Sequence, residues 1–284
     1  MIDKYASRTA LSVSWLRAAH QVLDSPLILE DSASLALHGD GARAQIFDRI
    51  DELETRGARA LRAHVVLRSR FAEDRLSLAV DRGVTQYVIL GAGYDTFGVR
   101  QPAWARRLRI TEMDQAVTQG DKKKRLNDAG LLVPENVEFL PVDFETETLE
   151  EAFLRSDLDP LAPTFFSWLG VTVYLTEPAI DAVFSCISKY AKGSEIVFTF
   201  AQPRRESDDL EIREGSARLA RQSAAVGEPW QTYFTLESLE IKLTNFGYSE
   251  IRFLTPSESE EKYFAGRSDG FTAPHRTSIA SATI

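Results

Sequence analysis

The sequence predicts an α/β fold, a doubly wound sheet of parallel βαβ units preceded by a helical region. Three observations carry this. From residue 84 onward, short apolar runs alternate with helix-length segments, the pattern of parallel βαβ units. The run Tyr87, Val88, Ile89, Leu90 is continuous rather than alternating, as in a strand covered on both faces. It ends in Gly91-Ala92-Gly93, a tight loop at the place where open α/β sheets bind nucleotides.

The elements follow in order. Residues 1–83 read as a helical cap region. Ala10, Val13, Leu16 and Ala19 recur at helical spacing and give a first helix one apolar face. Pro26 interrupts the chain, and further helical stretches begin near Ser32, Gln45 and Ala58. The block 68–80 is amphipathic and ends at Gly83. Residues 84–284 form the core, with strands expected at 86–90, 108–112, 137–141, 164–168, 195–201, 248–254 and 277–283. Helices are expected at 115–130, 147–154, 177–191 and 235–246. A polar insertion, about 202–230, is too long for a simple connection and reads as a helical lid over the sheet edge.

Composition narrows the function. The 284 residues are 44% hydrophobic and 26% charged, as in an ordinary soluble globular protein. A formal net charge of −9 opposes general nucleic-acid binding, which needs a basic footprint. A single cysteine, Cys186, excludes an internal disulfide and a cysteine-rich metal site, and reads as a packing residue. The four histidines show no metal spacing and read as structural, so no metal is expected. No apolar run reaches membrane-spanning length and no secretory signal is evident, so the expectation is a cytoplasmic monomer or small homo-oligomer without membrane contact. The run Lys122, Lys123, Lys124 reads as a solvated helix face.

The glycine loop argues for a particular kind of cofactor. A dinucleotide pyrophosphate wants G-x-G-x-x-G with bare amides. Here Thr96 stands at the third glycine position, and Asp95 stands where phosphates would lie. A carboxylate beside a pyrophosphate is repelled, whereas a cofactor with a cationic end tolerates it. S-adenosylmethionine, with a sulfonium and no phosphate, fits. Acids also fall at the ends of successive strands: Asp95, then Glu112 and Asp114, then Asp143. Asp114 lies about 20 residues beyond the glycines, the usual place for a ribose-binding acid. Asp143 would face the adenine amino group, with Phe144 near the ring. Arg68 or Arg70, on the helix before the first strand, would pair with the methionine carboxylate; a surface salt bridge with Glu73 or Asp74 is the other reading. Tyr174 is the expected contact for the acceptor, and Trp230, Tyr233 and Phe234 would line an apolar acceptor pocket. Neither a nucleophile elbow nor a Walker sequence is present.

These residues resemble the leucine carboxyl methyltransferase family of S-adenosylmethionine-dependent O-methyltransferases, in its bacterial branch. The resemblance runs through RTALSVSWLRAAHQVLDSPLILED, RSRFAED, GVTQYVILGAGYDTFGVR, EMDQ, VDF, GVTVYLT and GEPWQTYFT. It implies a class I methyltransferase core, a Rossmann-like sheet of seven strands with the last antiparallel, roofed by the N-terminal helices and the insertion. It also implies Arg68 or Arg70 on the methionine carboxylate, Gly91 lining the cofactor, Asp114 on the ribose, and Asp143 and Phe144 on the adenine. The chain departs from the family at Leu169, where the resemblance implies a cofactor-facing glutamate. The expected function is O-methylation of a carboxylate or hydroxyl on a small-molecule acceptor. A cofactor-binding protein without turnover and an NAD-dependent oxidoreductase stay open as alternatives.

Overall fold

The computed structural model describes residues 6–143, 146–204, 210–225 and 227–284. Five helices open the chain: α1 (Arg8–Leu23), α2 (Ser32–Ala36), α3 (Ala42–Asp48), α4 (Ile50–Leu53) and α5 (Arg56–Asp81). The core then runs β1 (Gln86–Leu90), α6 (Phe97–Arg100), β2 (Arg109–Asp114), α7 (Ala116–Asp128), β3 (Val137–Pro141), α8 (Leu149–Leu154), β4 (Thr164–Trp168), α9 (Glu177–Ile187) and β5 (Glu195–Thr199). The insertion holds α10 (Leu210–Ala225); α11 (Leu236–Asn245), β6 (Ser249–Phe253), α12 (Pro256–Ser259) and β7 (Ile279–Thr283) follow.

The seven strands form one sheet in the order β3-β2-β1-β4-β5-β7-β6. β1 to β5 pair in parallel, and β7 runs antiparallel to both β5 and β6. Reversal of the order on either side of β1 leaves a crevice at the carboxyl ends of β1 and β4, where such sheets bind ligands. The continuous apolar run of β1 has its physical reason here. Val88 and Leu90 face a core layer with α9 and α11, while Tyr87 and Ile89 face the layer that α5 covers. All five residues of β1 are buried.

Several boundaries move. Residues 58 and 68 belong to one helix, because α5 runs unbroken for 26 residues from a Thr55 cap that accepts from the Ala58 amide. β2 extends to Asp114, so Glu112 lies within the strand rather than beyond it. β5 stops at Thr199 and β7 begins at Ile279, although Phe200 still donates to the Ser278 carbonyl. Cys186 is buried in α9 as expected. Lys122 does not face solvent. It is 1% exposed and forms a buried pair with Glu112, which Lys123 and Lys124 do not share. Burial raises Glu112 and Lys122 opposes this, leaving the carboxyl pushed up to about 7. No helix among the described residues is long and apolar enough to cross a membrane.

The helical region is locked by a buried polar knot. Arg62 of α5 is fully buried and grips both oxygens of Asp24 at 2.8 and 2.9 Å. It also donates to the Leu53 carbonyl and to Glu54. Asp24 accepts from His20, whose other ring nitrogen takes the Ile28 amide. Replacing Arg62 strands a buried carboxylate. Arg62→Met is expected to lower stability by about 3–5 kcal/mol; urea unfolding monitored by circular dichroism checks this, and a change under 1 kcal/mol would refute it.

Candidate functional site

The site forms where the loops after β1 and β4 meet α1 and α5. Gly91 and Gly93 both adopt positive φ, 65° and 49°, which side chains strain to reach. A side chain at Gly93 would also press Ala10 of α1, its Cβ 3.0 Å away. A side chain at Gly91 would strike Val171 in the loop after β4. The roof therefore sits close over the glycine turn, and only bare backbone leaves room.

Asp114 closes one side. Its carboxylate accepts the Gly93 amide at 2.6 Å and the Gln115 amide at 2.8 Å. Burial outweighs these two bonds and raises its pKa. Each oxygen keeps lone-pair capacity for a further donor. Asp143 follows β3 by two residues, its carbonyl accepting the Thr146 and Glu147 amides. Phe144 lies outside the described residues.

Arg68 closes the other side. Its guanidinium lies against Gly170, where a Cβ would come within 2.8 Å of both terminal nitrogens. Among the described residues it makes no hydrogen bond and no ion pair. Burial lowers it to about 10, with the nearby Asp95 carboxylate opposing. Arg70 stands differently. It pairs with Asp74 at 2.8 Å, donates to the Ile28 carbonyl and is 45% exposed along its side chain. The structure therefore gives Arg70 the surface salt bridge and brings Arg68 to the site.

Asp95 is engaged with protein. It accepts from Arg17 of α1 at 2.9 Å and from the Phe97 amide at 2.7 Å. Burial opposes its charge, but Arg17, Lys122 and Arg100 hold the carboxyl down to about 2. Arg17 also pairs with Asp31 and donates to Thr96, so α1 is pinned to the glycine loop. Ala92 is buried within that loop, and Leu169 packs against the layer containing Tyr87 and Phe165.

On the side where the sequence expects the acceptor, Tyr174 ends a 3-10 turn, Thr172–Tyr174, after β4. The turn is fixed to the segment after the lid: Gln231 donates its amide to Val173 at 2.7 Å and its side chain to the Tyr174 carbonyl at 2.5 Å. Burial raises the Tyr174 hydroxyl, against the influence of Ser223 and Arg68. Trp230 carries a buried indole nitrogen that approaches the Tyr174 hydroxyl and has no other hydrogen-bond partner among the described residues. Tyr233 lies with its ring 6.3 Å from that of Trp230 and lines a surface depression together with Phe234. Phe234 is 5% exposed in the core beneath Lys242, and Tyr233 is 44% exposed on a surface depression with Glu177 and Asp181. Their apolar surface serves packing and the exterior, because Phe234 is drawn in by its amide bond to Ala201. Sequence reasoning missed Arg17, Asp31, Ser7 and Glu228; Ser7 Oγ donates to Glu228 at 3.0 Å across the roof. Among the described residues no cluster of His, Cys, Asp and Glu could hold a metal ion.

Residues 10–188 match the profile of the family described as leucine carboxyl methyltransferase. The chain is 30% identical over 293 residues to a Bacillus subtilis protein provisionally named an S-adenosyl-L-methionine-dependent methyltransferase, and the match covers 94% of each. A similarly named Frankia alni protein is 30% identical over 195 residues, 67% of each chain. Among solved structures, a Thermobifida fusca protein provisionally titled a methyltransferase superposes with a TM-score of 0.59 at 15% identity, covering 99% of this chain and 96% of that one. A DUF574 family protein from Streptomyces avermitilis gives 0.58 at 15%, covering 94% and 98%. Those two likenesses are of fold.

The Arg17 latch makes a prediction about acid. Asp95 is lowered from an ordinary value near 4, so its share of stability is complete above about pH 4 and is lost as pH falls toward 2. Asp31 is lowered in the same direction by Arg17 against burial. In Arg17→Met the fall in stability between pH 4 and 2 should become shallower than in the wild type. Denaturant melts at stepped pH measure it, and parallel curves would refute the latch.

Proposed function

The chain belongs to the leucine carboxyl methyltransferase family, and on that premise we propose that it transfers a methyl group from S-adenosyl-L-methionine to an oxygen of a small-molecule acceptor, a carboxylate or a hydroxyl. The observation that carries the cofactor reading is Arg68: a guanidinium lodged in the fold, beside the glycine loop, with no carboxylate of its own among the described residues. Leaving a half-buried cation unpaired is costly unless a ligand supplies the anion. An α-carboxylate matches the planar fork of donors.

The other groups fit the same molecule. Asp114, held rigid by two backbone amides, has lone pairs left for two ribose hydroxyls. Gly91, Ala92 and Gly93 let the backbone approach the ligand closely. Asp143 and Phe144 serve the adenine. Asp95 contributes at one remove, by fixing the loop through Arg17 and the Phe97 amide. Leu169, in place of the glutamate the resemblance implies, leaves the grip on that side to other groups.

When bound, the cofactor supplies an electrophilic methyl carbon on a positively charged sulfur. The protein's part is positioning: the acceptor oxygen must come to about 3–3.5 Å from that carbon, in line with the bond that breaks. Tyr174 keeps its proton, since burial raises its hydroxyl, and so donates to the acceptor oxygen. The Trp230 indole offers a second donor. A carboxylate acceptor needs no base, whereas a hydroxyl acceptor gives up a proton during transfer.

Calorimetric titration with S-adenosylmethionine and S-adenosylhomocysteine tests the reading, with binding expected for both. Arg68→Met should weaken S-adenosylhomocysteine by about 2–4 kcal/mol. Asp114→Ala should weaken it by about 1–3 kcal/mol. Ligand-free wild type that binds neither compound would overturn the assignment; unchanged affinity in one variant would remove that residue from it.

A further inference from the structure

We infer that the carboxylate of Glu228 faces the sulfur of bound S-adenosylmethionine and separates the charged cofactor from its neutral product. The inference rests on the cofactor reading above.

Three positions in that reading bound the place of the sulfur. It lies between the ribose at Asp114, the amino-acid end at Arg68 and the acceptor at Tyr174. Glu228 is tied into the same triangle by two chains of contacts. On one side, Ser7 Oγ donates to its Oε1 at 3.0 Å, while the Ser7 amide donates to Thr118 Oγ1 at 3.2 Å. Thr118 lies in the first turn of α7, which begins directly after Asp114 and Gln115. On the other side, Gln231, three residues on, is bonded to Val173 and to the Tyr174 carbonyl. The Glu228 amide itself is anchored to the Ser223 carbonyl at the end of the lid helix. The segment 228–231 thus spans the mouth of the cleft from Asp114 to Tyr174, with Glu228 half-buried along it. Its charge reaches both ends, adding to burial in raising Asp114 and Tyr174.

Its Oε2 has no hydrogen-bond partner among the described residues, and no Lys or Arg is paired with it there. Two acids, Asp114 and Glu228, therefore repel each other across the cleft. A cation between them relieves that repulsion. The sulfonium is such a cation; the thioether left after transfer is not. In the transfer the acceptor oxygen gains the methyl carbon, the sulfur–carbon bond breaks, and its electron pair stays on sulfur. Glu228 then loses its partner charge, and the product is held less tightly. The same charge stabilises the ground state more than the transition state, in which the sulfonium is already fading, so it trades some transfer rate for release of product.

The test is the ratio of affinities for the two ligands. Glu228→Gln keeps the shape and an oxygen to accept from Ser7, and removes only the charge. Calorimetric titration should show S-adenosylmethionine weakened about tenfold with S-adenosylhomocysteine changed by less than about twofold. Glu228→Asp should restore much of the preference, and Ser7→Ala, which keeps the charge, should retain it. Thermal melts establish that each variant is folded, and a misfolded Gln variant leaves the Asp variant and salt dependence of the wild-type ratio to decide. Equal weakening of both ligands, or an unchanged ratio, overturns the inference while leaving the cofactor reading intact. Failure of the wild type to bind either ligand overturns both.

Discussion

The site depends on one buried guanidinium. Arg17 takes Asp31, Asp95 and Thr96 together, joining α1 and the cap of α2 to the end of the glycine loop. Asp31 caps α2, Asp95 turns the glycine loop toward α6, and Thr96 in turn donates to Asp31. Arg100 and Glu73 extend the same network to α5. Buried polar networks of this kind stabilise little when added up pairwise, but a partly broken one is worse than an apolar core. The network therefore selects one placement of α1 over the glycine loop.

The fold was legible in the sequence to the extent that it is periodic. A strand covered on both faces shows as an unbroken apolar run, and β1 is that case. The glycine loop and Asp114 were legible because backbone geometry and strand ends have local signatures. Arg68 and Arg70 were not separable, for a plain reason. Two residues along a helix are about 200° apart, so one faces the cleft and the other solvent, and only the neighbours reveal which. Lys122 was misleading because a run of three lysines presents three faces, and one of them meets a buried Glu112 that the sequence places ten residues away. Arg17, Asp31, Ser7 and Glu228 have no local signal; their roles exist only once distant segments meet. Tyr233 and Phe234 are adjacent in sequence, but the amide bond from Phe234 to Ala201 turns only Phe234 into the core and leaves Tyr233 exposed, a split with no sequence signal.

The cleft is polarised along its length. Arg68 marks its positive end and Asp114 its negative end, with the glycine backbone between them. A zwitterionic ligand with its anion at one end and hydroxyls at the other is aligned before any specific contact with an acceptor forms. The acceptor side is built from different elements, the turn at Tyr174 and the segment after the lid, joined by Gln231. On the proposed reading, cofactor grip and acceptor grip rest on separate parts of the chain, so acceptor choice can vary while the cofactor frame stays the same.

The unbroken run of α5 sets a scale. Near its start, Gly57 packs against Arg218 of the lid helix, where a Cβ would lie 2.7 Å from the guanidinium. Farther on stands Arg68, and beyond it Arg75 pairs with Glu195 on β5. The contact with α10 and the Arg68 guanidinium therefore hang on one rod, about 16 Å apart at 1.5 Å per residue. A rod does not shorten. The spacing between the α10 contact and Arg68 is therefore a built-in gauge: the two move together or not at all.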